Sequence, residues 1–498
     1  MKRSESAAMV FGRNDRFDFT ASLPHLADAT HVHFIAIGGS GMVGIAKLFL
    51  GYRRPDGSAI TVTGSDRSES ERVSDARDHG ATVTIGQSAR TARELPDSAW
   101  VVVSTAIRED NPELQVARER GLLILHRSQA IVVAMDGRDA IAVTGTNGKT
   151  TTSSIATVAM RACGLDPSFI TGAAIGGIGA SSGAGQGDYY VAEVDESDGS
   201  FVVYHPKVAI VTSIREDHLD FWGDLETMFD GYVAFAETIQ DGGLLVACAD
   251  EAGSARLARI ARARGIRTAT YGHGPEADLQ LTQESLGPEH WAATVRFADT
   301  GEEHRMHVQI PGAVNLMNAA SVVLALSEGL GVARDRAVWA VGEFTSVKRR
   351  FELRGTPRGI RVIDDYAHNA DKVAALVQTG VATKGDGKVI AVFQPHLFTR
   401  TQRFAQQFAD AMAPADVAIV MDVAPSREDP IPGVTGALIA DRIVGTRAIY
   451  APTDEATIQA ILEHAEPGDL VLLAGSGYVT TIVPRIVASL ETGQLEPV

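Results

Sequence analysis

Short apolar runs alternate with amphipathic stretches along most of the chain. The runs begin near residues 31, 59, 100, 122, 140, 189, 208, 244, 361, 388, 417 and 469, and each is short enough for one buried strand. Segments with helical spacing of apolar residues separate them, as at 45–50 and 112–120. Strands that alternate with helices are typical of parallel sheets covered by helices on both faces. The pattern therefore predicts an α/β protein.

The length of 498 residues is too great for one hydrophobic core and indicates about three domains. We predict a weakly ordered lead over 1–30, followed by three consecutive α/β domains over 31–136, 137–345 and 346–498. The first and third domains are expected to be Rossmann-like, and the central one to resemble P-loop ATPases with a mostly parallel sheet. The segment 278–307 alternates polar and apolar residues, which predicts a small antiparallel patch.

The apolar run at 140–144 leads directly into a glycine-rich turn and then a helix. Gly145 and Gly148 allow a tight turn that directs backbone N–H groups inward, and the helix presents its positive N-terminal end. Lys149 would supply a charge for the outer phosphates of a nucleotide, and the Thr150 hydroxyl a ligand for magnesium. The glycines are closer together than in the common phosphate-loop motif. A turn that merely caps the helix is the alternative interpretation.

A second glycine-rich turn follows the strand predicted at 31–37. The pattern G-x-G-x-x-G spans residues 39–44, and Asp66 comes after the next predicted strand. In nucleotide-binding folds such glycines admit a pyrophosphate, and the acid binds a sugar hydroxyl. This fingerprint leaves open a nicotinamide cofactor, a nucleotide-linked substrate, or a turn without any ligand.

Acidic residues gather where one strand of the central domain ends. They are Glu193, Asp195, Glu196 and Asp198, and His218 lies beyond the next strand. The carboxyl ends of parallel strands meet at one edge of a sheet, so we expect these side chains near the phosphate loop. A carboxylate there suits magnesium, whereas imidazole is more usual with transition metals. His218 is therefore as readily a structural residue as a ligand.

Asn315 and Asn318 are one helical turn apart on a predicted helix and share a face. The residues alone favour a pair of solvated or capping amides. In the third domain, polar clusters at 364–369 and 394–400 follow two strands that we expect to be neighbours, and each cluster contains a histidine. They are interpreted as one site, with separate surface loops as the alternative.

Composition narrows the classes of function. A formal net charge of -17 and the lack of any basic run argue against a nucleic-acid-binding protein. Two cysteines in apolar settings cannot form a disulfide framework or a thiolate metal cluster, which favours a reducing compartment. We find neither a signal peptide nor a stretch of roughly 20 apolar residues. A cytoplasmic protein without nucleic-acid or membrane partners is expected.

Taken in order, several of these motifs resemble the Mur ligases, which use ATP to form amide bonds in peptidoglycan precursor synthesis. The motifs are GTNGKTTT at 145–152, EVDESD at 193–198, SIREDHLD at 213–220, NLMN at 315–318, KRRFE at 348–352 and DDYAHN at 364–369. Four stretches most resemble the branch of the family that joins L-alanine to UDP-N-acetylmuramate. They are HFIAIGGSGMVGIA at 33–46, AIREDNPEL at 106–114, AEVDESDGSF at 192–201 and FQPHLFTRT at 393–401. The resemblance covers residues 31–490.

The resemblance implies a reaction of known type. ATP would phosphorylate the carboxylate of UDP-N-acetylmuramate to an acyl phosphate, and the amine of L-alanine would then displace phosphate to form the amide. ATP and magnesium, with two ions, are the implied cofactors. The implied partners are these small-molecule substrates, and the implied form is a monomer or weak homodimer.

Matched motif positions also imply site residues. The implied catalytic residues are Lys149, Glu193, His218, Arg349 and Asp365. The implied ATP-binding residues are Gly145, Thr146, Asn147, Gly148, Lys149, Thr150, Thr151, Asn315, Asn318, Arg349 and His368. The implied UDP-substrate residues are Gly38, Gly39, Ser40, Gly41, Met42, Asp66 and Arg127. The implied L-alanine residues are Tyr366, His396 and Arg400, and the implied magnesium ligands are Thr150, Glu193 and His218.

Some positions depart from the pattern usual in the L-alanine branch. They are Asn147, Ser213, Val314, Asn369, Ala370 and Tyr478. The residues implied for phosphate, magnesium and catalysis are intact, so we expect a working ligase. Two alternatives remain: a diverged paralogue that joins another amino acid or peptide to a UDP-muramyl-type substrate, and a nucleotide-binding regulatory protein without turnover.

Overall fold

The structure is a computed structural model that describes residue 10 and residues 16–39, 41–286, 291–424 and 428–496. The chain divides into two compact units. The first contains Met1–Thr282, Thr294–Met306 and Met317–Phe344, and the second contains Gln283–Ala293, His307–Leu316 and Thr345–Val498. Strands and helices alternate in both, so the predicted α/β class is confirmed.

Five parallel strands form the first sheet, in the order β3-β2-β1-β4-β5. The strands are β1 His31–Ile35, β2 Thr61–Asp66, β3 Thr82–Ile85, β4 Ala99–Val103 and β5 Leu123–His126. Their helices are α1 Met42–Gly51, α2 Glu71–Asp78, α3 Ala89–Arg93, α4 Pro112–Glu119 and α5 Arg127–Ala134. Central strands β1 and β4 are almost wholly buried, which explains their continuous apolar sequences. The strand order reverses direction at β1, and such a reversal opens a crevice at the carboxyl ends.

Ten strands form the second sheet, in the order β15-β14-β13-β12-β11-β10-β6-β9-β7-β8. The strands are β6 Asp139–Thr144, β7 Ser168–Ile170, β8 Ser182–Gly183, β9 Tyr189–Glu193, β10 Val208–Val211, β11 Leu244–Cys248, β12 Thr268–Gly272, β13 Leu279–Leu286, β14 Trp291–Phe297 and β15 Glu303–Val308. The helices are α6 Lys149–Ala162, α7 Leu219–Trp222, α8 Leu225–Glu237, α9 Ala252–Ala263, α10 Ala313–Leu324 and α11 Arg334–Val341. Strand β6 pairs in parallel with β9 and β10, so the carboxyl ends of these three strands adjoin. The segment predicted as a small antiparallel patch forms β13, β14 and β15 at one edge of this sheet.

Six strands form the third sheet, in the order β16-β17-β21-β18-β19-β20. The strands are β16 Glu352–Gly355, β17 Arg361–Asp365, β18 Val389–Phe393, β19 Val417–Val420, β20 Arg447–Tyr450 and β21 Leu470–Ala474. The helices are α12 Ala370–Thr383, α13 Phe398–Met412, α14 Ala437–Ala440, α15 Asp454–His464 and α16 Val483–Thr492. Only the edge strand β16 is antiparallel to its neighbour among the pairings described. None of the helices described has both the length and the apolar composition of a membrane span.

Part of the segment expected to be a weakly ordered lead packs against the first domain. Phe17 and Phe19 are buried, and their ring centroids lie 4.9 and 5.4 Å from that of His126. The side-chain amide of Gln129 donates to the carbonyl of Asp18 at 2.8 Å. Residues 16–19 are therefore held by specific contacts, which their polar surroundings in the sequence do not indicate.

Candidate active site

The loop between β6 and α6 turns tightly at Gly145 and Gly148, whose φ angles are 130° and 90°. A Cβ at position 145 would lie 2.3 Å from Thr212 Oγ1, and one at 148 would lie 2.8 Å from Asn318 Oδ1. Both positions therefore require glycine for backbone conformation and for space. Helix α6 begins at Lys149, so the N–H groups of its first turn face the loop, as an anion site requires.

The ammonium group of Lys149 lies inside this loop. Its Nζ donates to the carbonyl of Gly145 at 2.6 Å and to Glu196 Oε1 at 2.9 Å. Burial alone would lower the pKa of Lys149, but the carboxylates of Glu196 and Asp195 raise it overall. The lysine therefore stays charged at neutral pH and presents a cation where the outer phosphates of a nucleotide would lie.

Thr150 and Glu193 meet beside the loop. The Thr150 hydroxyl donates to Glu193 Oε1 at 3.0 Å, and the Gly172 N–H donates to Glu193 Oε2 at 2.5 Å. A Cβ at position 172 would lie 2.7 Å from Glu193 Oε2 and 2.9 Å from Thr150 Oγ1, so this close approach also needs glycine. The hydroxyl and carboxylate oxygens are hard donors that fit magnesium.

His218 lies beside the acidic run at 193–198, as its place beyond β10 predicts. One ligand atom each of Asp195, Glu196 and His218 lie within 4.8 Å of one another. His218 has a φ of 51° and precedes α7, and its Nε2 is 3.9 Å from Asp217 Oδ1. Two carboxylates and an imidazole could hold a cation, and the role of His218 as a ligand stays a prediction.

Backbone contacts from the end of β10 brace the phosphate loop. The N–H of Thr146 donates to the carbonyl of Ser213 at 2.9 Å, and the N–H of Asn147 donates to Ser213 Oγ at 3.1 Å. Thr212 Oγ1 donates to the carbonyl of Asn147 at 2.5 Å. Asn147 and Ser213, two of the positions that depart from the usual pattern, are thus in direct contact.

The two asparagines of α10 have different surroundings. Asn318 is 4% exposed and its amide lies against Gly148, so the solvated alternative is wrong for this residue. Asn315 belongs to the second compact unit, where its Nδ2 donates to the carbonyl of Pro311 at 2.6 Å. The shared face predicted from their spacing does not give them a shared environment.

The glycine turn after β1 is shaped by Asp66. The N–H groups of Gly38 and Arg67 both donate to the Asp66 carboxylate at 2.8 Å. Gly41 has a φ of 81° and precedes α1. The predicted residues of this turn are Gly38, Gly39, Gly41, Met42 and Ser40, of which Ser40 lies outside the described residues. The turn stands at the crevice that the strand order opens, where a nucleotide would bind.

The acidic run joins the first sheet to the phosphate loop. Arg127, the first residue of α5, donates to Asp195 Oδ2 at 2.5 Å. Although burial opposes ionisation of Asp195, the charges of Arg127 and Lys149 hold its pKa well below the usual range. Asp198 is 3.3 Å from His126 Nε2, and despite its burial this contact lowers the pKa of Asp198 to about 2. The predicted substrate residue Arg127 and the predicted phosphate residue Lys149 are therefore bound to neighbouring carboxylates.

In the second unit, the backbone bends at Arg349, and the Asp365 carboxylate contacts this bend. Arg349 has a φ of 58°, and its Nη2 donates to the carbonyl of Gly475 at 2.5 Å. The Asp365 carboxylate accepts from the N–H groups of Phe351 and Ala367, both at 2.8 Å. Burial raises the pKa of Asp365 above its ordinary value. In this arrangement the carboxylate holds the backbone around Arg349.

Tyr366 and His368 pack together beside the arginines. Their ring centroids are 5.1 Å apart, and the Arg349 guanidinium carbon lies 4.9 Å from the Tyr366 ring centroid. Burial lowers the pKa of His368 well below its usual value, and the charges of Lys372 and Arg400 lower it further. His368 is therefore neutral at physiological pH, and Arg400 lies close enough to influence it.

The two strand ends expected to be neighbours are separated by β21. This strand pairs with both β17 and β18, so the glycine turn that follows it enters between the two predicted clusters. Gln394 links the turn after β18 to the turn after β21, because its Oε1 accepts from the Val479 N–H at 2.9 Å. The backbone of His396 forms an isolated parallel β-bridge with that of Ala424. The expectation of adjacent strands is wrong, since a strand from the end of the chain inserts between them.

Sequence reasoning missed several residues of the candidate site. Gly172 lies 21 residues before the carboxylate that it approaches, and no local motif marks it. The sequence marks Asp195 and Glu196 only as members of an acidic group. Their charge partners, Arg127 and Lys149, lie far from them in the sequence. The glycines of the turn at 475–478 are visible in the sequence. Only the strand order shows that this turn lies between the ends of β17 and β18.

Comparison with protein families places the chain. Residues 31–138 match the catalytic domain of the Mur ligase family, 143–326 the Mur ligase middle domain, and 349–477 the Mur ligase glutamate ligase domain. These matches cover most of the chain, which therefore belongs to the Mur ligase family. They also confirm the predicted architecture of three α/β domains.

Individual members of the family are similar to this chain over nearly its full length. A UDP-N-acetylmuramate–L-alanine ligase of Paenarthrobacter aurescens (strain TC1) is 42% identical over 95% of this chain and 99% of its own length. A ligase of the same name from Arthrobacter sp. (strain FB24) is 43% identical over 92% and 95%. The crystal structure of a UDP-N-acetylmuramate-alanine ligase from Thermotoga maritima covers 93% of this chain and 100% of its own, with 26% identity and a TM-score of 0.77. A murein peptide ligase from Psychrobacter arcticus shares the fold, with 23% identity and a TM-score of 0.66 over 93% and 99% of the two chains.

Proposed function

We propose that this chain is an ATP-dependent ligase that joins L-alanine to UDP-N-acetylmuramate in peptidoglycan precursor synthesis. The observation that carries the proposal is the meeting of Lys149, Thr150 and Glu193 at one loop, beside a run of carboxylates that also binds Arg127. Similarity over nearly the full length of relatives named for this activity supports it. ATP is the nucleotide of the family, and the identity of the acceptor is the finer part of the proposal.

The residues around the phosphate loop would prepare the acyl phosphate. Lys149 would neutralise the outer phosphates, and the backbone N–H groups that begin α6 would donate hydrogen bonds to the phosphate oxygens. Thr150 and Glu193 would hold magnesium, which supplies positive charge to the transferring phosphoryl group. Arg127, fixed by Asp195, would bind the anionic UDP part of the sugar substrate. The second magnesium ion, with His218 as ligand, belongs to this proposal.

Residues of the second unit would receive the amine. Arg400 would pair with the carboxylate of L-alanine, and neutral His368 would avoid repelling the incoming ammonium group. Tyr366 and His396 would complete the acceptor pocket. Arg349 would reach the nucleotide, with Asp365 holding its backbone. The domain limits, the cytoplasmic location and the monomer or weak homodimer stay predictions.

The positions that depart from the usual pattern are compatible with L-alanine as the acceptor. Asn369 has a local task, because its Oδ1 accepts from the Lys372 N–H as the N-cap of α12. Ala370 is the first residue of that helix, and Val314 is 46% exposed. Asn147 contributes its backbone to Ser213. These local features do not distinguish L-alanine from another acceptor.

An acceptor screen tests the proposal. Purified protein is mixed with ATP, magnesium, UDP-N-acetylmuramate and one amino acid at a time, and phosphate release is followed. Release with L-alanine supports the proposal. Release only with another amino acid or a peptide favours the diverged paralogue, and nucleotide binding without release in any mixture favours the regulatory protein.

Replacing Arg400 with alanine should weaken acceptor binding selectively. We expect the KM for L-alanine to rise about thirtyfold, because a charge-assisted hydrogen bond to the carboxylate is lost, while the KM for ATP changes less than about twofold. Initial rates at varied L-alanine and ATP measure both constants. Arg442→Ala, at an exposed arginine whose side chain caps a backbone carbonyl in the same unit, is the control. An equal rise in both constants would remove Arg400 from the acceptor pocket.

A further inference from the structure

The loop that follows β4, residues 104–111, is held by a distant arginine. Arg16 Nη1 donates to the carbonyl of Thr105 at 2.9 Å, its Nη2 donates to the carbonyl of Ile107, and its Nε donates to Glu109 Oε1 at 2.6 Å. All three directions of one guanidinium are thus used on a single loop. A planar fork of this kind fixes orientation as well as position.

The other side of this loop is bound to the acidic run. The Thr105 hydroxyl donates to Asp198 Oδ2 at 3.0 Å, and the second oxygen of Asp198 accepts from the Ser200 N–H at 3.0 Å. Asp198 is 5% exposed. The loop 104–111 therefore lies between Arg16 and the buried carboxylate of Asp198.

Asp198 and the segment 16–19 also contact His126, at the end of β5. His126 is buried, with Asp198 3.3 Å from its Nε2 and the rings of Phe17 and Phe19 against its imidazole. The next residue is Arg127, which binds Asp195. Residues 16–19 and Asp198 thus contact both loops at the carboxyl ends of β4 and β5, on the edge where the glycine turn after β1 stands.

A polar cavity of about 360 Å³ opens beside the first of these loops. Arg108 and Asn111 line it from the loop, and Arg67 and Gln87 line it from the ends of β2 and β3, together with Asp110. Asn111 Nδ2 donates to Gln87 Oε1 at 2.9 Å, which fixes the two amides. Two guanidinium groups outweigh the one carboxylate, so the cavity suits an anion that also carries hydrogen-bonding groups, such as a nucleoside diphosphate.

We infer that residues 16–19, Thr105 and Asp198 form a clamp that positions loop 104–111 and Arg127 for the UDP part of the substrate. Arg16 is a positioning residue in this clamp. The inference rests on the proposed function, because that function supplies the UDP-sugar. Arg16 is partly exposed and fills no core cavity, so its loss would move the loop without unfolding the domain.

The test measures binding and kinetics of Arg16→Ala, Thr105→Val and Thr105→Ser. Arg16→Ala and Thr105→Val should raise the KM for UDP-N-acetylmuramate about tenfold and leave kcat and the KM values for ATP and L-alanine within about twofold. Thr105→Ser keeps the donor to Asp198 and should restore the wild-type constant. Arg90→Ala, which removes an exposed arginine paired with Glu94 in the same domain, should change nothing.

Calorimetric titration with UDP separates failure of the clamp from failure of the proposed function. UDP should bind about tenfold more weakly to Arg16→Ala than to the wild-type protein. Unchanged UDP affinity and unchanged KM for the UDP-sugar in both Arg16→Ala and Thr105→Val would overturn the clamp, and so would an equal rise in all three KM values. A wild-type protein that releases no phosphate with any acceptor would instead refute the proposed ligase, and the UDP titration would still decide for or against the clamp.

Discussion

Replacing Lys149 with alanine should lower kcat by about a thousandfold or more. The Lys149 ammonium lies in the loop within 2.6 Å of the Gly145 carbonyl and 2.9 Å of Glu196, and nearby carboxylates keep it charged. Alanine removes the only side-chain cation that the described residues place inside this loop, so charge on the transferring phosphoryl group loses its compensation. Phosphate release with saturating substrates measures the effect.

Lys207→Ala is the matched control for this variant. Lys207 forms an ion pair of 2.8 Å with Asp139 at the opposite end of β6, a length close to that of the Lys149–Glu196 pair. We expect its rate to stay within about twofold of wild type, because an exposed pair contributes little. Near-normal turnover in Lys149→Ala, with an active wild-type protein, would refute the phosphate-loop assignment.

The parts of the fold that the sequence predicts are those carried by local patterns. The apolar runs that begin near residues 189 and 244 are strands β9 and β11, since buried parallel strands are continuous hydrophobic segments. The phosphate loop is equally local, because Gly145, Gly148 and Lys149 lie within one turn. Local periodicity does not carry strand order, and the insertion of β21 between β17 and β18 could not be predicted from it.

The candidate site divides in the same way. Thr150 and Glu193 were predicted from a motif and a strand end, and the structure brings them within 3.0 Å. Gly172, which makes that contact sterically feasible, has no motif of its own. Residues 16–19 were expected to be weakly ordered, because burial of Phe17 and Phe19 depends on His126, a partner more than a hundred positions away in the chain. Long-range contacts, rather than residue types, were the missing information.

The acidic residues 193–198 contact both places in the first unit where we propose that a nucleotide binds. Glu193 contacts Thr150, Glu196 contacts Lys149, and Asp195 contacts Arg127. Residues of one short segment thus bind both the phosphate loop and the domain proposed to carry the UDP-sugar. Among these carboxylates, Glu193 is the one whose oxygens meet the Thr150 hydroxyl, and its replacement gives the sharpest test of the metal.

Glu193→Gln should raise the magnesium concentration needed for half-maximal activity at least tenfold and lower kcat by about a hundredfold. Glutamine keeps the shape and one acceptor oxygen for the Gly172 N–H, so the fold should be retained, but it loses the negative charge that binds the ion. Phosphate release at varied magnesium concentrations measures both effects, and electron paramagnetic resonance of Mn²⁺ titrated in place of Mg²⁺ measures binding of the ion. Glu237→Gln, at a buried carboxylate paired with Arg264 in the same sheet domain, should leave the metal dependence unchanged. An unaltered magnesium requirement in Glu193→Gln would exclude Glu193 as a ligand and move the metal site to Asp195, Glu196 and His218.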